Sequence, residues 1–219
     1  LFADMRHRKL SPDGVSFINA ALSACEKGAQ WQQASDMFAD ARRRSQLDVV
    51  TYSAAIGALA KGARWQEALG LFADMRRSVC EPDTIAHIAA IGALQSGERW
   101  QEALLLFSDM QARLLEMGGQ VVNAAISACE KGAQWREAIG MLSGMRRKRL
   151  EPNVVTYNAA TSACEKGAQW LQALGMLADM QRRRLEPDLT THNAAISACE
   201  KGAQWQEALS VFAGMRLRR

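Results

Sequence analysis

Apolar and polar residues recur along this chain with the period of a helix, in pairs of short bursts. In residues 154–188, Val155, Ala159, Ala160, Ala163 and Cys164 stand at helical spacing and predict a first helix over about 155–166. Trp170, Ala173, Leu174, Leu177 and Met180 form a second stripe, which predicts a second helix starting near Trp170. Gly167 separates the two, where a chain leaving a helix turns left-handed and glycine is the expected residue. Arg182 to Arg184 complement the carbonyl end of the second helix. Pro187 and Asp188 then break the chain, with the aspartate placed to cap the next helix.

This two-burst pattern repeats. The segment NAAISACEKGAQW stands at 123–135 and 193–205, and with one substitution each at 19–31 and 158–170. Trp31, Trp65, Trp100, Trp135, Trp170 and Trp205 all end it, at spacings of 34, 35, 35, 35 and 35 residues. A period this constant marks a tandem array. Its repeats run 15–48, 49–83, 84–118, 119–153, 154–188 and 189–219, the last truncated at its C-terminal end. Residues 1–14 read as the second helix of a truncated preceding repeat, with Met5 in register with Met75 and its successors. A chain that begins inside a repeat is expected to be a fragment, with no targeting peptide visible.

Helices of about 12 residues are marginal alone, so each has to bury its stripe against its partner and its neighbouring repeat. The alanine column Ala34, Ala68, Ala103, Ala138, Ala173 and Ala208 permits close helix approach. Tryptophan and the slot Phe38, Phe72, Phe107, Leu142, Leu177 and Phe212 fill the space between layers. The predicted fold is all-α: an α-solenoid of tandem antiparallel helix-turn-helix repeats, with a concave face lined by the first helices.

Composition narrows the function. Hydrophobic residues at 48% with four prolines exclude a disordered chain, and no apolar run is long enough to span a membrane. A net charge of +4 and a pI near 8.9 suit a polyanionic partner without requiring one. Cys25, Cys129, Cys164 and Cys199 share one apolar-flanked slot and Cys80 lies elsewhere, which argues against a disulfide framework and for a reducing compartment. There is no zinc-ligand pair, phosphate-binding glycine loop or nucleophile elbow, and His7, His87 and His192 sit in different repeats. The chain reads as a binding protein with no catalytic residues, metal or cofactor.

Two polar columns stand out. The fifth position of the repeat is Asn19, Ser53, Ile88, Asn123, Asn158 and Asn193. Asparagine is a poor helix former, so its recurrence has a cause other than propensity: its amide either caps a backbone group in the first turn or faces a ligand. The last position is Asp48, Asp83, Gly118, Asn153 and Asp188, read as helix caps whose second oxygen can still face the groove. Lys27, Lys61, Lys131, Lys166 and Lys201 end the first helices, where they complement the helix dipole or track a phosphate backbone. Arg42 to Arg44, Arg146 to Arg149 and Arg216 to Arg219 read as solvated ends of the second helices. Repeat three is degenerate, with Ile88, Ser96 and Gly118-Gly119 where the others are polar, basic or Pro-Asp.

The 35-residue period, the Val-Val-Thr-Tyr-Asn opening at 154–158, and Glu-Ala-Leu-x-Leu-Phe-x-x-Met followed by Pro-Asp in 67–83 resemble the pentatricopeptide repeat family over the whole chain. The resemblance implies a right-handed superhelix that binds single-stranded RNA, one base per repeat, 5′ to 3′ along the chain, in chloroplast or mitochondrion. It implies that the fifth and last residues read the base while Val50, Ile85 and Val155 sandwich it. Ser16, Gln120 and Thr190 depart from that apolar position. The lysine column corresponds to phosphate-contacting positions. An amide both donates and accepts, and an aspartate only accepts, which favours the ring N–H of uracil. Asn19 with Asp48 then implies U, Ser53 with Asp83 G, Asn123 with Asn153 C, Asn158 with Asp188 U, and Asn193 a pyrimidine. Ile88 with Gly118 has no place in the family's code, so the expected core is 5′-U-G-N-C-U-Y. Transcript processing, editing or stabilisation is the implied role. The rival reading is a helical-repeat scaffold for a protein or peptide, whose uncapped repeat ends also leave faces for protein partners or self-association.

Overall fold

The computed structural model describes residues 14–44, 47–78, 80–115 and 117–216. Its elements are α1 (Gly14–Lys27), α2 (Trp31–Arg43), α3 (Val49–Lys61), α4 (Trp65–Arg77), α5 (Thr84–Ser96), α6 (Trp100–Ala112), α7 (Gly119–Lys131), α8 (Trp135–Arg147), α9 (Val154–Lys166), α10 (Trp170–Arg182), α11 (Leu189–Lys201) and α12 (Trp205–Arg216). Every described element is a helix, and the helices alternate as first and second members of a hairpin. The segment expected to be the second helix of a preceding repeat, residues 1–14, lies outside the described residues but for Gly14, which opens α1.

The chain divides into two compact units, 1–97 and 98–219, and the division falls inside the degenerate third repeat. Within each unit the same packing recurs. A first helix touches its neighbouring first helices, as α3 touches α1 and α5 and as α9 touches α7 and α11. A second helix touches its own first helix and the first helix of the repeat that follows, as α8 touches α7 and α9. First helices therefore have neighbours on several sides, and their sequences are correspondingly apolar nearly all round, as VVTYSAAIGALAK and TIAHIAAIGALQS in α3 and α5. Second helices carry one apolar stripe. Ala34, Ala68, Ala103, Ala138 and Ala173 are fully buried on it, and Phe38, Phe72, Phe107, Leu142 and Leu177 nearly so.

The turn inside each hairpin corrects one expectation. The glycines that end the first helices are not left-handed: Gly62, Gly97, Gly132, Gly167 and Gly202 have φ between −80° and −87°. The left-handed residue is the one behind, Ala63, Glu98, Ala133, Ala168 and Ala203, with φ of 53–57°. The loop closes with Schellman bonds such as Gln169 N–H to the Cys164 carbonyl at 2.8 Å. Glycine is required for space instead. A Cβ on Gly62 would lie 2.4 Å from Cδ1 of Trp31, and one on Gly132 2.5 Å from Cγ of Trp100. Each half-buried tryptophan thus lies across the glycine of the next repeat, and this contact couples the tryptophan column to the glycine column. Trp135 and Trp170 also pack on the buried cluster of Cys164, Ala173 and Ala198.

One polar network is built into a layer of the array. Tyr157 on α9 donates its hydroxyl to Asp179 on α10 at 2.5 Å, and Arg146 on α8 bonds both of them. Burial pushes the Tyr157 hydroxyl above its usual range, reinforced by Asp179. Burial also raises the Asp179 carboxyl, but Tyr157, Arg146 and Arg183 outweigh it and hold that carboxyl below its ordinary value. Arg146 is therefore a structural partner rather than the solvated helix end its cluster implied. One repeat earlier the three corresponding residues are Gln111, Val122 and Gly144, and they border an open cavity of about 430 Å³ together with Phe107, Met141 and Met145.

Candidate functional site

The last residue of each repeat is the N-cap of the next first helix. Its Oδ1 accepts from the backbone N–H three residues on: Asp48 from Thr51 at 2.7 Å, Asp83 from Ala86 at 2.8 Å, Asn153 from Thr156 at 3.0 Å and Asp188 from Thr191 at 2.9 Å. Gly118 caps α7 without a side chain. The fifth-position residues converge on these caps. Asn19 Nδ2 donates to Asp48 Oδ2 at 3.1 Å and Asn158 Nδ2 to Asp188 Oδ2 at 2.9 Å. The Ser53 hydroxyl lies 2.7 Å from the Val49 carbonyl and 3.3 Å from Asp83 Oδ1. Asn123 meets Asn153 through the Thr156 hydroxyl, which bonds both amide oxygens at 2.6 and 2.9 Å. Among the described residues the asparagine amides bond side chains, not the backbone of their own first turn, so the backbone-cap explanation of that column is set aside. Asn193 is exposed with no side-chain partner among them, and half-buried Ile88 offers no polar atom.

Capping fixes which atom of the last residue is left over. Because Oδ1 is committed to the helix, an aspartate keeps Oδ2, an acceptor with two lone pairs, for the fifth-position residue and a ligand, whereas Asn153 keeps its Nδ2, a donor. Charge reinforces the contrast. Burial raises the Asp48 carboxyl, but the Thr51 hydroxyl, the Thr51 N–H and Asn19 outweigh it and hold it below its ordinary value. Asp188 is lowered likewise, with burial opposed by Thr191 and Asn158. Both are carboxylates at neutral pH.

Beside the caps Asp48, Asp83 and Asn153 an exposed apolar side chain opens the first helix: Val50 is 55% exposed, Ile85 63% and Val155 60%. Ser16, Gln120 and Thr190 are exposed at the same place. The lysine column stands at the other end of the first helices, about 12 Å from the asparagines, since Asn158 and Lys166 are eight residues apart at 1.5 Å per residue. Lys61 pairs with Glu26 at 3.3 Å, Lys166 with Glu130 at 3.1 Å and Lys201 with Glu165 at 2.9 Å. Exposed Lys27 and Lys131 form no ion pair among the described residues. The lysine column is thus half of an acid–base ladder that links successive repeats.

Two sets of residues at this surface escaped the reading of the sequence. Thr51, Thr156 and Thr191 bond the asparagine of the repeat before, and Glu26, Glu130 and Glu165 bond the lysine of the repeat after. Both recur at fixed places in the period, which was the available signal. Neither column interacts within its own repeat, so reading repeats one at a time hides it.

Other chemistry is sparse. Burial pushes the Cys129 thiol up to about 12 and the Cys164 thiol to about 11, which leaves neither nucleophilic at neutral pH. Among the described residues no group of His, Cys, Asp or Glu is placed to hold a metal ion, and no helix is long and apolar enough to cross a membrane.

Residues 105–166 match the family model of a pentatricopeptide repeat domain, and residues 50–80, 155–185 and 190–219 each match that of a PPR repeat. No curated protein sequence matches the chain. The crystal structure of the pentatricopeptide repeat protein PPR10 from maize is similar at 26% identity with a TM-score of 0.71, over 91% of this chain and 29% of that one. The chain therefore spans less than a third of the maize structure. PPR10 in complex with an 18-nt psaJ RNA element is similar at 17% identity and TM-score 0.58, over 99% of this chain and 37% of that one. The PPR domain of Arabidopsis thaliana protein-only RNase P 1, in complex with tRNA, is similar at 13% identity and TM-score 0.65, over 75% and 87%.

Proposed function

This chain belongs to the pentatricopeptide repeat family, and from that premise we propose that it binds single-stranded RNA sequence-selectively through its paired fifth and last residues. The observation that carries the reading is the convergence of those two columns on each other, two pairs bonded through an amide, one with the Ser53 hydroxyl 3.3 Å from Asp83, and one bridged through a threonine. Each pair presents a fixed donor–acceptor edge at the start of a first helix, of the kind that pairs with the Watson–Crick edge of an unstacked base.

Asn19 with Asp48 and Asn158 with Asp188 present an amide and an acceptor, and are assigned U. Asn123 with Asn153 presents a donor in the acceptor's place, and is assigned C, whose ring nitrogen accepts. Ser53 is shorter and leaves room for a purine beside Asp83, assigned G. Asn193 takes a pyrimidine. Ile88 and Gly118 offer no polar edge and discriminate nothing. Val50, Ile85 and Val155 supply apolar surface for base faces. Lys27 and Lys131 are the phosphate contacts ready as they stand, while Lys61, Lys166 and Lys201 must exchange a glutamate for a phosphate. The core is 5′-U-G-N-C-U-Y, and the protein acts as a non-catalytic module on organellar transcripts, which it protects, exposes or positions for processing or editing.

The test is fluorescence anisotropy of labelled U-G-A-C-U-U RNA against a scrambled RNA, the same sequence as single-stranded DNA, and the duplex, each at two salt concentrations. The reading requires tighter, salt-sensitive binding of the first. Equal binding of all four would reduce the protein to a basic surface, and no binding would favour a peptide scaffold.

A further inference from the structure

The bonds around the base-reading pair extend across the repeat junction. In repeat five, Asn158 Nδ2 donates to Asp188 Oδ2, and Asn158 Oδ1 accepts from the Thr191 hydroxyl at 2.5 Å. Thr191 is the third residue of repeat six and fully buried. The same relation joins Thr51 to Asn19 and Thr156 to Asn123, each at 2.6 Å. An amide next to a carboxylate has two flip states. In one, its NH₂ meets the carboxylate; in the other, two oxygens face each other and repel. The carboxylate selects the first state, and the threonine hydroxyl, which also lies 2.9 Å from Asp188 Oδ1, gives the amide oxygen of that state a donor and so holds the side chain from its other end.

The sequence carries the same coupling. Threonine stands at the third position only behind a repeat with asparagine at the fifth: Asn19 precedes Thr51, Asn123 precedes Thr156 and Asn158 precedes Thr191. Ser53 is followed by Ala86 and Ile88 by Val121, neither of which has a hydroxyl. Serine needs no help against a flip, and isoleucine has no polar group to orient.

We infer that Thr51, Thr156 and Thr191 are positioning residues for base recognition, so that the unit reading one base comprises the fifth and last residues of one repeat and the third residue of the next. The inference rests on base reading by the paired columns. A rotated amide offers the base an acceptor where a donor is needed, so loss of the hydroxyl degrades discrimination at one nucleotide and leaves the others alone. Thr191 serves better than Thr51 or Thr156 for the test, because the latter two also close a capping box with the N–H of the cap residue.

The experiment compares the whole chain with Thr191→Val, of nearly the same shape, and Thr191→Ser, which restores the hydroxyl. Affinities are measured for four U-G-A-C-X-U RNAs that differ only at the fifth nucleotide, and for four that vary only the first, opposite Asn19 and Asp48. Circular dichroism melts check folding, and the Asn158 side-chain amide is followed by NMR without RNA. The expected result is a preference for U at nucleotide five that falls by about five- to tenfold in Thr191→Val, the scale of one hydrogen bond. Preference at nucleotide one stays unchanged, Thr191→Ser recovers the loss, and the Asn158 amide resonances move in Thr191→Val alone. A wild-type chain indifferent to nucleotide five would overturn base reading and this inference together. A wild-type preference that survives in folded Thr191→Val, or an equal loss for all eight RNAs, would overturn the inference alone.

Discussion

Gly132 has φ −87° and the Ala133 behind it φ 53°, so the residue with the strained backbone is the alanine. The glycine is held to its identity by Trp100, which a Cβ would meet at 2.5 Å. Gly132→Ala should therefore destabilise the protein by about 1–3 kcal/mol through overpacking. Ala133→Gly should be neutral or stabilise it by up to about 1 kcal/mol, because a left-handed conformation costs an alanine roughly that much. Gly175, with nothing near its absent Cβ, is the helical control, where alanine should gain about 0.5–1 kcal/mol. Denaturant melts of the three variants check the order. Sequence alone located this turn and its glycine but credited the glycine with the wrong duty, since the contact that demands it comes from a tryptophan one repeat away. The carboxylate caps add a pH dependence. Asp48 and Asp188 titrate lower folded than the ordinary 3.8, so their contribution is complete above that pH and is lost as pH falls through their lowered values. Asp188→Asn keeps the cap and should flatten the fall in stability below about pH 4, as measured by melts across pH 2–6.

Hairpins meet in layers, and one layer carries a polar network that its neighbour lacks. Arg146, Tyr157 and Asp179 tie α8, α9 and α10 together through charge-assisted bonds. Tyr157→Phe, which removes only a hydroxyl between charged partners, should cost about 1–3 kcal/mol in chemical denaturation. Gln111, Val122 and Gly144 hold the same three positions one repeat earlier, beside the open cavity. Gln111→Arg, Val122→Tyr and Gly144→Asp introduced together should fill it and stabilise the protein by about 0.5–2 kcal/mol, whereas Val122→Tyr alone leaves a hydroxyl without its carboxylate. Element type and extent were legible because the helical stripe recurs in every repeat and agrees with a side-chain cap at Asp48, Asp83, Asn153 and Asp188. The network was not legible, because its members are 11, 22 and 33 residues apart and an arginine in a basic run looks solvated until its carboxylate is seen.

Across the repeats, the paired polar columns and the lysine column occupy opposite ends of the first helices. The asparagine and aspartate columns were legible as recurring polar positions, but their bonding to each other and to the threonines was not, because it depends on stacking. The lysine column was legible as charge, while its pairing with Glu26, Glu130 and Glu165 of the preceding repeat was hidden by the same register. Those glutamates should temper RNA binding. Glu130→Gln with Glu165→Gln is expected to free Lys166 and Lys201, raise affinity for all RNAs alike, and steepen the slope of log affinity against log salt by about 0.7 for each phosphate gained. An unchanged slope would remove the lysines from the interface. The measurement that bears most directly on base reading is a change of code at one repeat. Asp188→Asn replaces an acceptor with a donor, conserving cap and shape while removing the charge, and its affinity would be taken for U-G-A-C-X-U RNAs with each base at the fifth nucleotide. Base reading by the paired columns predicts that preference moves from U in the wild-type chain to C in the variant. Preference that stays on U, or affinity that falls equally for all four bases, would contradict it.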